Sequence, residues 1–155
     1  MIMDLSKLRL FLVILLLSVF FVSCKKDDKD NNYVPYVPVN ISIYLNDPQY
    51  SALSAVGNHV MLSNCGYSGI IVYRYSSDEF VALDRTCTYE LSHDCKVEGD
   101  ASGFFLDCPC CNTRYAISDG NLVLDDTAHV GPADHPLKLY NTSFNESSSM
   151  LYIYN

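Results

Sequence analysis

The 155-residue chain contains no tryptophan, and its 10 lysines and arginines are outnumbered by 18 aspartates and glutamates. No basic run stands beside an aromatic cluster, which excludes the electrostatic footprint of a nucleic-acid binder. Also missing, at any telling spacing, are a Ser-His-Asp set, paired carboxylates and a glycine-rich phosphate loop, the usual marks of hydrolytic or nucleotide chemistry. There is no internal repeat. The apolar run from Leu10 to Val22 is too short for a comfortable membrane-spanning helix. Twelve tyrosines are present instead of tryptophan. They are read as cross-strand packing residues with wet hydroxyl tips, not as a carbohydrate platform. Together these absences leave no catalytic constellation to name from the sequence.

The N-terminus has its own logic. Lys7 and Arg9 precede the apolar run, and Ser23-Cys24 follows it. A charged region, a short apolar region and a small residue make the layout of an export signal. Here "FVSC" resembles the lipobox of bacterial lipoproteins, with Phe21 at the position where leucine is usual. The resemblance implies cleavage after residue 23 and acylation of Cys24, and several acyl chains anchor a protein stably to a lipid bilayer. The next residues, "KKDDKDNN", carry no apolar side chain and read as solvated tether. They also resemble the tags of some surface-exported lipoproteins of Gram-negative bacteria. The expected organisation is therefore a signal peptide over 1–23, a lipidated cysteine and flexible tether over 24–39, and a domain over 40–155. The expected location is the bacterial cell envelope, lipid-anchored at the outer membrane, periplasmic or surface-exposed. Without residues 1–23 the chain has 8 basic and 17 acidic residues, a net charge of −9.

Pro35 and Pro38 keep the lead-in "NNYVPYVPV" extended. After it come short runs rich in β-branched and aromatic residues: 40–45, 59–63, 69–75, 79–84, 103–107, 113–118, 121–125, 137–141 and 150–155. Turn residues separate them. Many short strands at this spacing indicate an all-β, antiparallel sandwich or barrel. Residues 47–56 are the one segment read as either a short helix or an irregular turn.

Six cysteines remain once Cys24 is set aside: Cys65, Cys87, Cys95, Cys108, Cys110 and Cys111. An even number in an exported chain is first read as disulfide-bonded. Cys65 stands alone in "SNCGYSG" and reads as a buried thiol or the partner of a further bridge. The other five fall in two loops, "CTYELSHDC" (87–95) and "CPCC" (108–111). A hairpin-like connection between them brings both to one end of a sheet. Cys108 and Cys111 have the C-x-x-C spacing that lets a tight turn chelate one ion, as in zinc and iron sites. Neighbours in extended chain point to opposite sides, so Cys110 and Cys111 should not both serve one site. With Cys108 and Cys111 inward, Cys110 is left for another purpose, most simply a disulfide.

The order Cys87-Thr88-Tyr89, Cys95, Cys108-Pro109-Cys110-Cys111-Asn112-Thr113-Arg114-Tyr115 and Gly131-Pro132-Ala133, with Pro136-Leu137 and Tyr140 behind it, resembles a Rieske-type iron–sulfur domain. The resemblance covers roughly residues 40–155. It implies a Rieske-like antiparallel β-sandwich carrying a small cysteine-loop subdomain. It further implies Cys87 and Cys108 as thiolate ligands of one iron, and a Cys95–Cys110 disulfide tying the loops. Thr113 and Tyr115 would donate to sulfurs, and Gly131 and Pro132 would form the loop covering the centre.

The departures fall on the chemistry. The family's two ligand histidines stand where this chain has Tyr89 and Cys111. Cys111 can serve as a thiolate. A phenol of pKa about 10 must deprotonate to bind well, so Tyr89 is a poor ligand, and His93 or Cys95 are the other candidates for the fourth position. A set of three or four thiolates implies a much lower potential than two histidines give. No Arg-Arg pair stands before the apolar run, which argues against twin-arginine export of a preloaded, folded domain. Three readings therefore stand side by side: a [2Fe–2S] electron carrier with an unusual ligand set, a cluster-free, disulfide-stapled binding or interaction module in the cell envelope, and a structural zinc site of Cys87, Cys108, Cys111 and either Cys95 or His93. Of the remaining histidines, His135 is the one expected near the cysteines, since it flanks the Gly-Pro loop.

Overall fold

The computed structural model describes residues 33–89, 91, 94–125 and 128–155. The expected signal, Cys24 and the charged run after it lie outside the described residues, as does His93. No helix among the described residues is long and apolar enough to cross a membrane.

Among the described residues there are eleven strands: β1 (Asn40–Tyr44), β2 (His59–Leu62), β3 (Ile70–Arg74), β4 (Phe80–Asp84), β5 (Glu98–Gly99), β6 (Phe105–Asp107), β7 (Arg114–Ala116), β8 (Leu124–Asp125), β9 (Ala128–His129), β10 (Leu139–Asn145) and β11 (Met150–Tyr154). They form a six-stranded sheet in the order β1-β11-β10-β4-β3-β2, a three-stranded sheet β5-β6-β7 and the pair β8-β9. Every pairing is antiparallel.

Strands β3 and β4 explain the layering. "IIVY" is apolar without a break, and Ile70, Ile71 and Val72 are all fully buried. Successive side chains of a strand point to opposite faces, so a continuous apolar run needs cover on both. Ile70, Val72, Phe80 and Ala82 pack with Ile43, Leu53, Leu151 and Ile153. Ile71, Tyr73 and Leu83 pack the other way, with Val97, Leu106, Ile117, Leu137 and the cysteines Cys87, Cys95 and Cys108. Each fully buried aliphatic side chain here contributes about 1.5–3 kcal/mol. The cysteine loops are therefore seated on one of two cores that share the central strands.

Local chemistry sets the element ends. Residues Pro48–Ser54 form a short 3-10 helix, started by proline and by Asp47, whose carboxylate accepts from the Gln49 amide at 3.1 Å. Strand β6 starts at Phe105, two residues later than the apolar pattern of "GFFLD" suggests. Asp100 accepts from the amides of Gly103 and Phe105, and Gly103 takes a positive φ of 76°, so the turn consumes residues up to Phe104. β10 runs on to Asn145 because it finds β11 across a tight 146–149 turn, with Asn145 opposite Met150.

Residues 33–39 lie along the domain. Val34 and Val39 are buried. Val39 exchanges hydrogen bonds with Asn155, whose side-chain amide also donates to the Val37 carbonyl. The prolines keep this segment extended, and an extended apolar segment can lie along a domain as readily as leave it.

Candidate metal centre

The two cysteine loops leave neighbouring strands at the same end. Past β4, the chain stays paired with its own return: Val97 donates to the Arg85 carbonyl at 2.8 Å, and Cys87 donates to the Cys95 carbonyl at 3.2 Å. That ladder sets Cys87 opposite Cys95. Pairing of β5 with β6, Glu98 opposite Asp107, then brings the first loop alongside the second. The second loop closes the β6–β7 hairpin. Cys108 donates to the Thr113 carbonyl at 2.8 Å, and the Asn112 amide donates back to the Cys108 carbonyl at 2.9 Å. Asn112 takes a positive φ of 59°, a conformation asparagine tolerates better than most residues.

Cys87, Cys108 and Cys111 converge, with their sulfurs all within 4.8 Å of one another. Cys87 and Cys108 are wholly buried, while Cys111 is half-buried. Cys87 Sγ and Cys111 Sγ stand 3.4 Å apart. Cys110 faces outward and is joined to Cys95 by a disulfide with a Cα–Cα distance of 6.0 Å. A link across 15 residues stabilises by about 3 kcal/mol in the chain-entropy model. Because Cys95 is bonded to Cys110, its sulfur is not free to be a fourth ligand. Tyr89 is 58% exposed, directed to solvent rather than into the group of sulfurs. His135 also stays apart, its ring stacked on Tyr33 with centroids 4.6 Å apart. Cys65 is half-buried with a free thiol in the other core, so it has no bridge partner among the described residues.

Two hydroxyls meet the sulfurs. The Thr113 hydroxyl accepts from the Ala133 amide at 3.2 Å, which leaves its proton for Cys111 Sγ at 3.1 Å. Fully buried Tyr115 sets its phenol 3.8 Å from Cys87 Sγ and 2.9 Å from the Thr88 hydroxyl. Thr88 donates its own proton to the His135 carbonyl at 2.6 Å, so toward Tyr115 its hydroxyl acts as acceptor. Thr88 is a contributor that sequence reasoning missed. It stands between Cys87 and Tyr89 in a box whose other positions drew the attention, and a lone threonine carries no periodic signal.

Gly131 lies directly on Thr113. Its φ is 94°, and a Cβ there would fall inside the Thr113 backbone, so glycine is required both for the turn and for the close approach. Gly131 and Pro132 are themselves exposed, and Ala133 behind them is buried.

The thiols differ in acidity. Burial, then hydrogen bonding with Cys87, pushes the Cys108 thiol up to about 12. Burial also pushes the Cys111 thiol up, but hydrogen bonds from the Thr113 hydroxyl and amide, with Cys108 and Cys87, outweigh it and hold Cys111 below the ordinary thiol value. Burial raises the Tyr115 phenol well above the usual range, which keeps it a proton donor.

No known family model matches the chain, and no curated protein matches it in sequence. Solved structures do match in shape. The cyanobacterial plasma membrane Rieske protein PetC3 from Synechocystis PCC 6803 is 20% identical, with a TM-score of 0.50 over 77% of this chain and 100% of that one. The fold is Rieske-type. A chain of the complex of reduced oxygenase and oxidized ferredoxin in carbazole 1,9a-dioxygenase is 22% identical over 66% of this chain and 95% of its own, TM-score 0.46. The ferredoxin of carbazole 1,9a-dioxygenase from Nocardioides aromaticivorans IC177 is 14% identical over 77% and 98%, TM-score 0.43. In this Rieske-type domain the two cysteine loops stand on the Ile71–Leu83 face of the large sheet, and the Gly131 loop closes on the second of them.

Proposed function

We propose that this domain is an electron carrier holding a [2Fe–2S] cluster through Cys87, Cys108 and Cys111, with His93 as the fourth ligand. The observation that carries the reading is the convergence of three otherwise unbonded sulfurs in a buried pocket of a Rieske-type fold, each loop held by backbone hydrogen bonds. The donor set fits such a group. Thiolates are its usual ligands, and thiolates in an apolar pocket need hydrogen-bond donors, one of which the Thr113 hydroxyl supplies to Cys111. When bound, the cluster would supply one-electron chemistry at a potential well below that of a two-histidine centre. The chain's own contribution is to hold the sulfurs, direct the Thr113 proton at Cys111 and exclude water from Cys87 and Cys108. The fold likeness to PetC3, described as a Rieske protein, supports this reading.

A second reading is favoured by one distance. A single tetrahedral zinc with Zn–S bonds of about 2.3 Å sets its sulfurs about 3.8 Å apart, and the three sulfurs here lie within 4.8 Å of one another, Cys87 and Cys111 at 3.4 Å. Metal analysis with visible and EPR spectra of the full-length chain, purified without oxygen, separates the two. Iron and sulfide at about two per chain, lost on Cys108→Ser, supports the cluster. Stoichiometric zinc, lost on the same substitution, supports the tetrahedral site instead. A colourless, metal-free chain overturns both and leaves a disulfide-stapled binding module.

We also propose that acylated Cys24 attaches the chain to the outer membrane of a bacterial cell envelope, on the strength of "FVSC" and the tether after it. Incorporation of a labelled fatty acid, abolished by Cys24→Ser together with release from the membrane fraction, is the expected result. Membrane attachment that survives Cys24→Ser would overturn it.

A further inference from the structure

We propose that Cys87 and Cys111 are a dithiol–disulfide exchange pair, so that the metal centre and a second disulfide are alternative states of the same sulfurs. The inference rests on the geometry of the thiols and holds whichever metal the site takes.

Cys87 Sγ and Cys111 Sγ stand 3.4 Å apart without a bond. Closing to the about 2.05 Å of a disulfide asks for a movement on the scale of a side-chain adjustment, on two loops that the Cys95–Cys110 bridge already holds together. Exposure divides the labour between the two sulfurs. Cys111 is the half-buried member, whereas Cys87 and Cys108 are wholly buried. An external disulfide therefore reaches Cys111 first, and Cys87 Sγ stands 3.4 Å behind it. Cys108 Sγ also stands 3.7 Å from that of Cys95, which is already bonded to Cys110. Cys65 lies in the other core and has no access to the site.

The exchange balances with an external disulfide as the oxidant. The Cys111 thiolate attacks one sulfur of the reagent, its S–S bond breaks, and one reagent thiolate leaves. A mixed disulfide now sits on Cys111. The Cys87 thiolate attacks Cys111 Sγ, the mixed bond breaks, and the second reagent thiolate leaves. The chain has lost two electrons and two thiol protons, and the reagent disulfide has become two thiols. The product retains one free thiol at the site, Cys108, and holds two of the three metal-binding sulfurs in a covalent bond. Metal bound to those sulfurs blocks the first attack. In a compartment where disulfides form, an empty site would therefore close by oxidation, and reduction would reopen it.

The test uses the full-length chain, stripped of metal with a chelator and equilibrated with glutathione and glutathione disulfide over a range of ratios. Remaining thiols are alkylated after denaturation, and the peptides are mapped. The expected result is a single step in which Cys87 and Cys111 lose alkylation together and appear as one cross-linked peptide. Cys65 and Cys108 stay alkylated, and Cys95–Cys110 stays intact. Cys111→Ser abolishes the step and Cys65→Ser leaves it unchanged. Zinc added before the oxidant slows the step at least tenfold. Alkylation of both Cys87 and Cys111 at the most oxidising ratio would overturn the proposal. So would a cross-link through Cys108, whether to Cys87, to Cys111 or to a cysteine of the Cys95–Cys110 bridge. Metal content is measured separately on the untreated chain, so failure of the exchange and failure of the cluster reading are distinguishable.

Discussion

Asp84 is the last residue of β4 and has no solvent exposure, yet its carboxylate accepts five hydrogen bonds. The Thr86 amide at 2.9 Å, the Thr86 hydroxyl at 2.5 Å and the Ser68 amide at 3.3 Å reach one oxygen. The Tyr67 amide and the Tyr140 hydroxyl, both at 2.7 Å, reach the other. Every partner is a donor, so the site demands an acceptor on both oxygens. Asp84→Asn supplies one. The best orientation keeps the amide oxygen toward Thr86 and Ser68 and turns the NH2 group toward Tyr67 and Tyr140. The Tyr140 hydroxyl can rotate to accept, but the Tyr67 amide cannot, and a donor then faces a donor. Hydrogen bonds to a charged group contribute about 1.5–3 kcal/mol each, and a stranded buried donor costs about 1–3 kcal/mol. The expected loss is about 3 kcal/mol, a large part of the 5–15 kcal/mol that holds a typical domain folded. With a urea slope of about 1.5 kcal/mol/M, the unfolding midpoint should drop by about 2 M. Asp107→Asn is the matched control. It makes the same chemical change in the partly exposed ion pair with Arg114, at 2.7 Å, where a loss of less than about 1 kcal/mol is expected. Thr86 is the residue before Cys87, so bound metal should fall together with stability in Asp84→Asn. A change within about 0.5 kcal/mol of the parent, or no larger than that of the control, would refute the reasoning.

Tyr115→Phe removes the acceptor of the buried Thr88 amide and should lower the urea stability by about 1–2 kcal/mol, whereas an unchanged midpoint would mean the phenol is dispensable. Gly131→Ala places a methyl group into the Thr113 backbone at a positive φ. A loss of at least about 2 kcal/mol, with faster hydrogen exchange at the Ala133 amide, is expected, and a neutral result would count against the close approach. The metal-free chain should lose stability as pH rises from about 9 toward 12. Cys108 binds its proton more tightly folded, at about 12, than at its ordinary 9.0. Its contribution is therefore complete below pH 9 and lost through the folded value. The raised phenols of Tyr33, Tyr115 and Tyr140 act in the same direction above their ordinary 10.0. Urea midpoints at a series of pH values check this, and the slope just above pH 9 should be shallower in Cys108→Ser.

The legible part of this protein is the part encoded by short-range pattern. Alternation and turn residues place most strands to within a few residues, because a side-chain period of two and a positive-φ glycine act locally. The apolar run "IIVY" marks a strand covered on both faces, and the C-x-x-C spacing of Cys108 and Cys111 is a property of one turn. Other features have no local cause. β5 exists only because Glu98 finds Asp107 across a ladder, and two residues carry no periodicity of their own. Asp84 looks like an ordinary strand-end carboxylate until donors from three separate segments close on it. Tyr89, His135 and Cys111 each carry an atom that can bind a metal, and only the path of the two loops turns the first to solvent, stacks the second on Tyr33 and brings the third to 3.4 Å from Cys87. The sequence alone determined the strand pattern, the cysteine boxes and their resemblance to a Rieske domain. The tertiary structure alone decided how close those sulfurs come and that Tyr89 and His135 turn elsewhere, because distances between groups 24 residues apart are set by strand pairing and packing, which act across the chain rather than along it.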